Sequence, residues 1–201
     1  MNILNLSIGG PDYRDAPFMD KVREMSANNI IVVSAIGNDG PLWGTLNNPA
    51  DQQDVIGVGG IDYKGNIAPF SSRGISTGEL PDGYGRVKPD IVAYGKDVPG
   101  SAMKGGCRTL SGTSVASPVV TGAVTLLAST IDVAKRPRLI NPASMKQALV
   151  ESATRLPKAS IFEQVRNVLR LCLTTHEQSL HFPIPHNSHL CRILHILGAP
   201  A

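Results

Sequence analysis

The residue best placed to do chemistry is Ser114, within Leu110-Ser111-Gly112-Thr113-Ser114-Val115-Ala116-Ser117-Pro118. Small residues allow a tight turn before it, and Val119, Val120, Val124, Leu126 and Leu127 then supply an apolar helical face. That spacing sets one hydroxyl at a helix N-terminus, where unpaired N–H groups and the helix dipole favour developing negative charge. A nucleophilic serine benefits from such a position, and so does a plain capping serine. A second candidate is Asn38, in Ala35-Ile36-Gly37-Asn38-Asp39-Gly40, whose amide suits donation to an oxyanion. Asn-Asp-Gly is also ordinary turn chemistry. A third is Ser7-Ile8-Gly9-Gly10, where glycines after a strand leave backbone open to an extended ligand.

These groups need a scaffold, and hydrophobic patterning outlines one. Residues 3–8 read as a strand stopped by Gly9-Gly10-Pro11. Pro17 opens a helix through about Asn28, with Phe18, Val22 and Met25 on one face. Residues 30–36 and 55–61 are continuous apolar runs, as in strands covered on both faces, and residues 91–94 form a shorter one. Asn141-Pro142 is a cap and first-turn signal for a helix near 142–153, turning Met145, Ala148 and Leu149 inward. Strand, helix and buried strand make a βαβ unit, so the fold class is α/β with a mainly parallel sheet. In such sheets, sites gather at the carboxyl ends of strands, where Ser7–Gly10 and Gly37–Asn38 lie.

Composition narrows the function. The chain has 201 residues, 42% hydrophobic and 17% charged, enough to bury a real core. A net charge of +3 is too small and dispersed to argue for nucleic acid. No run of 18 apolar residues suggests a membrane span. Cys107, Cys172 and Cys191 have no motif spacing. Nineteen of the 20 glycines fall at or before Gly122, whereas all five histidines fall at or after His176. The chain therefore divides into residues 1–164 and a divergent, weakly ordered tail, 165–201.

Together these blocks resemble the subtilisin-like serine proteases. Ser7-Ile8-Gly9-Gly10, Gly37-Asn38, Asn48-Pro49-Ala50, residues 55–59, Phe70-Ser71-Ser72-Arg73-Gly74 and residues 88–93 recur there in this order. Gly112-Thr113-Ser114-Val115-Ala116-Ser117-Pro118 is similar to that family's nucleophile signature, with Val115 where methionine is more usual. The resemblance implies a three-layer α/β/α domain and a serine endopeptidase acting through an acyl-enzyme. Ser114 would be the nucleophile, Asn38 and the Ser114 N–H the oxyanion donors. Ser7, Ile8 and Gly9 would pair with an extended polypeptide, and Ala35, Ile36 and Gly37 would wall the pocket before the cut. Three stretches, residues 46–51, 104–108 and 141–149, look most like a secretory-pathway branch that works on Golgi membranes and cuts membrane-anchored precursors. Calcium occurs across the family, but no ligand set can be assigned here.

The departures matter as much. In this family the chain order is Asp, His, Ser, with both partners upstream of the oxyanion asparagine. No histidine precedes Ser114, and Asp12, Asp15 and Asp20 lack the family's Asp-Thr-Gly or Asp-Ser-Gly setting. A serine hydroxyl without a base is a weak nucleophile. The expectation is a chain inactive by itself, a fragment able at most to bind peptides or pair with another chain. Cys172, His176, His181, His186, His189, Cys191 and His195 match no zinc spacing. A tail histidine serving Ser114 would need Gly-x-Ser-x-Gly, and Ala116 holds the last position. Residues 57–62 lack the third glycine of a dinucleotide loop. The sequon Asn5-Leu6-Ser7 sits on a buried strand and reads as silent, Lys135-Arg136-Pro137-Arg138 reads as a solvated basic loop, and Pro118 falls early enough in its helix to be tolerated.

Overall fold

Four strands run parallel at the centre of the computed structural model, which describes residues 1–11, 16–76 and 85–164. They are β1 (Ile3–Leu6), β2 (Ile31–Ala35), β3 (Val55–Ile61) and β6 (Ile91–Tyr94), hydrogen-bonded in that order. Pairing joins Ile3 to Ile31, Val32 to Val55 and Val58 to Ile91. Every residue of β2 and β3 is buried, as continuous apolar runs demand.

Alternation along the strands sends side chains to two faces. Ile31, Val33, Ile56, Val58, Ile91 and Ala93 meet α2 (Thr113–Thr130) and α4 (Pro142–Ser152) on one side. Val32 and Val55 meet Val22 and Met25 of α1 (Ala16–Ala27) on the other. The result is the three-layer α/β/α arrangement. Asn141 caps α4, accepting from Ser144 N at 2.9 Å, and turns Met145 and Leu149 into the core while Ala148 stays half-buried.

Helix α2 is long and apolar enough to cross a membrane by length and composition. Here it packs on the sheet through Ala116, Val120, Ala123, Val124 and Leu127, whereas Val119 and Leu126 are only half-buried. Short Ser and Thr side chains are spread among its apolar ones, so sequence alone does not say which stripe faces the core.

Three local expectations change. The first strand ends at Leu6 rather than at residue 8, because its last sheet partner is Ser34 and Ser7 then turns toward α2. The basic stretch at 135–138 is not a free loop but enters a helical turn, α3 (Arg136–Leu139). Arg136 donates to Ile131 O at 2.9 Å and Ser129 O at 3.2 Å, closing the end of α2. Two antiparallel pairs also form: β4 (Gly74–Ile75) with β5 (Val87–Lys88), and β7 (Val98–Ser101) with β8 (Cys107–Leu110). The tail, with its histidines, Cys172 and Cys191, lies outside the described residues, as do Asp12 and Asp15.

Candidate active site

The site forms where the first turn of α2 meets the carboxyl ends of β1 and β2. Gly112 caps the helix, its N–H bonded to Gly95 O at 2.8 Å. Thr113 and Ser114 are the first two helical residues, so Ser114 N–H has no acceptor within the helix. A side chain at Gly112 would meet Ser114 Oγ at 2.9 Å and the Asn38 amide at 3.6 and 3.7 Å. Ser114 Oγ and the Asn38 amide thus both crowd the position that the missing Cβ would take.

Thr113 holds that amide. Asn38 Oδ1 accepts from Thr113 N at 2.8 Å and lies 3.1 Å from Thr113 Oγ1. The same hydroxyl lies 3.1 Å from Gly37 O and accepts from Gly37 N at 3.3 Å. With Oδ1 engaged, Asn38 Nδ2 is the end left to meet a ligand oxygen. Gly37 has φ +116°, and a Cβ there would strike Ser72 Oγ at 2.6 Å and Asn47 Cγ at 2.8 Å. Only glycine passes between those neighbours. Ser72 Oγ accepts from Asp39 N at 3.1 Å, so the loop at 70–74 braces the turn that carries Asn38.

Ser7 is joined to Ser114 directly. Its hydroxyl donates to Ser114 O at 3.0 Å. That carbonyl is available because Pro118, four residues later, has no N–H to offer it. Ser7 Oγ in turn accepts from Asn5 Nδ2 at 2.9 Å. Asn5 Oδ1 takes hydrogen bonds from Ser117 Oγ at 2.7 Å and Thr121 Oγ1 at 2.9 Å. The Asn5 side chain is thus engaged at both ends, which accounts for a sequon with no free amide.

The other candidate residues flank this centre. Ile8 is 65% exposed. Gly9 passes Asn48 so closely that a Cβ would lie 2.8 Å from Asn48 O, whereas Gly10 has open space. Gly10 and Asn48 exchange two backbone hydrogen bonds, 3.1 and 2.7 Å. Ala35 and Ile36 are buried at the end of β2, with Ile36 packed on Leu46 and Ala50. Ser7, Gly37, Asn38 and Ser114 are brought together at the start of α2, with Ile8, Gly9, Ala35 and Ile36 as their neighbours in the chain. Asp20 lies on α1. Among the described residues no three His, Cys, Asp or Glu side chains cluster to hold a metal.

Thr113 and Asn5 hold the candidate site residues in ways that their sequence settings do not reveal. Thr113 reads as one residue of a turn, and Asn5 as the start of a sequon. Their partners lie 75 to 116 residues away, beyond the reach of any local pattern.

Residues 1–169 match the subtilase family of peptidase S8. The chain is similar to the membrane-bound transcription factor site-1 protease of Mus musculus, 70% identical over 171 residues, covering 85% of this chain and 16% of that protein. It is also similar to subtilisin-like protease SBT6.1 of Arabidopsis thaliana, 69% identical over 164 residues, covering 82% and 16% respectively. Among solved structures, the prenylagaramide maturation protease PagA superposes with a TM-score of 0.69 at 32% identity, covering 84% of this chain and 58% of that one. The chain thus spans 16% of the length of the curated relatives it matches here.

Proposed function

The chain belongs to the subtilase family, and from that premise we propose that it supplies the nucleophile and the oxyanion site of a serine endopeptidase. The observation that carries this reading is that Ser114 Oγ and the Asn38 amide both lie beside Gly112, 2.9 Å and 3.6 Å from where its Cβ would stand. Ser114 Oγ attacks the scissile carbonyl. Asn38 Nδ2 and Ser114 N–H receive the oxygen as it becomes negative, with the positive end of α2 behind them. An extended polypeptide lies along Ser7, Ile8 and Gly9 by strand addition, and Ala35, Ile36 and Gly37 wall the pocket for the side chain before the cut.

The hydroxyl proton needs an acceptor. None of the chain's five histidines is among the described residues. We assign the base and its carboxylate to a segment other than residues 1–201, with no tail histidine serving Ser114, so that the chain by itself is inactive. Its similarity to the site-1 protease supports the narrower reading that the complete enzyme cuts membrane-anchored precursors in the secretory pathway, at the Golgi. Calcium occurs across the family, and no ligand set for it is assigned among the described residues.

Fluorophosphonate labelling tests this. The folded chain should stay unlabelled alone and become labelled when a segment bearing the family's Asp and His is supplied, with Ser114→Ala silent throughout. Labelling of the chain alone would mean that it carries its own base. Silence even with the added segment would favour the second reading, a peptide-binding remnant, to which the missing histidine points.

A further inference from the structure

Behind the turn that carries Asn38, Arg73 meets Glu163, 90 residues later in the chain. One loop pins that turn on both sides of Asn38. Ser72 N donates to Gly37 O at 3.1 Å, Asp39 N to Ser72 Oγ at 3.1 Å and Gly40 N to Phe70 O at 2.9 Å. Loop and turn approach so closely that a Cβ on Gly40 would lie 2.3 Å from Ser71 O. Ser71 is buried, and its carbonyl accepts from Nε and Nη2 of the Arg73 guanidinium, each at 3.3 Å. Arg73 Nη1 pairs with Glu163 Oε1, while Glu163 Oε2 accepts from Ser160 N at 3.0 Å. Water reaches little of either side chain, 13% of Arg73 and 26% of Glu163. A planar fork divided between a buried carbonyl and a carboxylate is fixed in angle as well as in place.

We propose that Arg73 is a positioning residue for the oxyanion site, anchored by Glu163. The inference rests on the reading of Asn38 as an oxyanion donor. Asn38 is exposed, so the backbone on either side of it must set where its amide points. The loop at 70–73 sets that backbone, and Arg73 sets the loop through Ser71 O. The Arg73 backbone is itself tied, its N–H donating to Thr45 Oγ1 at 3.2 Å and its carbonyl accepting from Gly44 N at 3.1 Å. The fork therefore has a fixed root as well as a fixed tip. A donor that drifts by a fraction of an ångström loses much of its hold on a developing charge.

The test is amide hydrogen exchange in the full chain, read by NMR. Ile36 N–H, bonded to Val58 O at 3.0 Å, is the internal reference. Arg73→Met keeps the apolar stem and removes the fork. Asp39 and Gly40 should then exchange roughly tenfold faster relative to Ile36, the scale of one hydrogen bond. Glu163→Ala should raise the same two amides by a smaller factor, and Glu163→Gln, which still accepts from Arg73, should return them toward wild type. With a segment bearing the base and its carboxylate supplied, Arg73→Met should lower kcat roughly tenfold and leave KM unchanged. The proposal is overturned if Asp39 and Gly40 gain nothing relative to Ile36, or if the loss falls on KM or on neither constant. Should Arg73→Met not fold, the two Glu163 variants decide. A selective rise in the alanine variant that the glutamine variant lacks supports the brace, and its absence overturns it. Selective exchange in a chain that fluorophosphonate never labels, even with the added segment, would sink the endopeptidase reading and leave the brace standing.

Discussion

Thr113 grips Asn38 twice, its backbone N–H at 2.8 Å and its hydroxyl at 3.1 Å from the same amide oxygen. In the proposed reading, the residue before the nucleophile thereby orients the oxyanion donor. With the base supplied, Asn38→Leu should lower turnover by about 10²–10³, the scale set by subtilisin's own oxyanion asparagine, with little change in KM. Thr113→Val keeps the N–H and loses the hydroxyl, so turnover should fall roughly tenfold, the worth of one hydrogen bond. Steady-state kinetics on an extended peptide check both. A larger effect on KM than on kcat would contradict the assignment.

Ser7 and Pro118 should be energetically coupled although they do not touch. Ser7→Ala leaves Ser114 O without its donor and should cost about 1–2 kcal/mol in urea unfolding. In a Pro118→Ala background the helix regains an N–H for that carbonyl, and the same substitution should cost less. A double-mutant cycle should report a coupling of about 1 kcal/mol. Additive effects would show that the carbonyl is satisfied some other way.

Asp90 and Lys88 respond to pH in opposite ranges. Two ammoniums, Lys88 and Lys146, outweigh burial and hold the Asp90 carboxyl below its ordinary value. Its contribution is present above the unfolded pKa and is lost as acid titrates it. Burial outweighs the single carboxylate at Lys88 and lowers its pKa from 10.5 to about 8. Between those values the unfolded chain holds a proton that the folded chain has released, so stability should rise with pH across that window. Urea midpoints from pH 7 to 11 should show the rise in wild type but not in Lys88→Met. Asp90→Ala, which strands both ammoniums, should cost about 3–5 kcal/mol at pH 7.

Gln164 anchors the last described segment. Its fully buried side chain bonds Leu156 N at 3.2 Å, Leu156 O at 2.8 Å and Ala159 O at 3.1 Å. Beside it Glu163 pairs with Arg73, and Phe162 sets its ring edgewise to Trp43 at 4.9 Å. Gln164→Ala should cost about 1–3 kcal/mol by removing the side-chain donor to Ala159 O, while Leu156 O keeps its bond from Ala159 N. Trp43 is the chain's one tryptophan, so its emission should shift to the red as Phe162 loosens.

Those parts of the fold that reside in local patterns are legible in the amino-acid sequence. The runs at 31–35 and 55–61 declare buried parallel strands because nothing in them has to face water. Asn141-Pro142 declares a helix start because the cap needs only the next three residues. The hairpin β7–β8 is not legible, since β8 is exposed at all four positions and so carries no alternation. Lys88 is not legible as a buried group, because lysine is almost never fully buried unless paired, and although Asp90 lies two residues on, the carbonyls that complete its shell come from a turn more than 30 residues earlier. At the site, Ser114 and Asn38 can be named from their settings. What holds them, Thr113 and the Asn5 amide, exists only once β1, β2 and α2 have closed on one another.

The bond from Ser7 to Ser114 O has a consequence for accuracy. In the proposed reading, a substrate strand laid along Ser7–Gly9 takes its position from the tip of β1, and Ser114 is tied to the same tip. A small displacement of that tip, by heat or by the pull of a poorly fitting peptide, carries target and nucleophile together. The error is common to both and drops out of the distance between them. A loosely held edge can then deliver a well-aimed hydroxyl, because aim depends on a difference and not on either position alone.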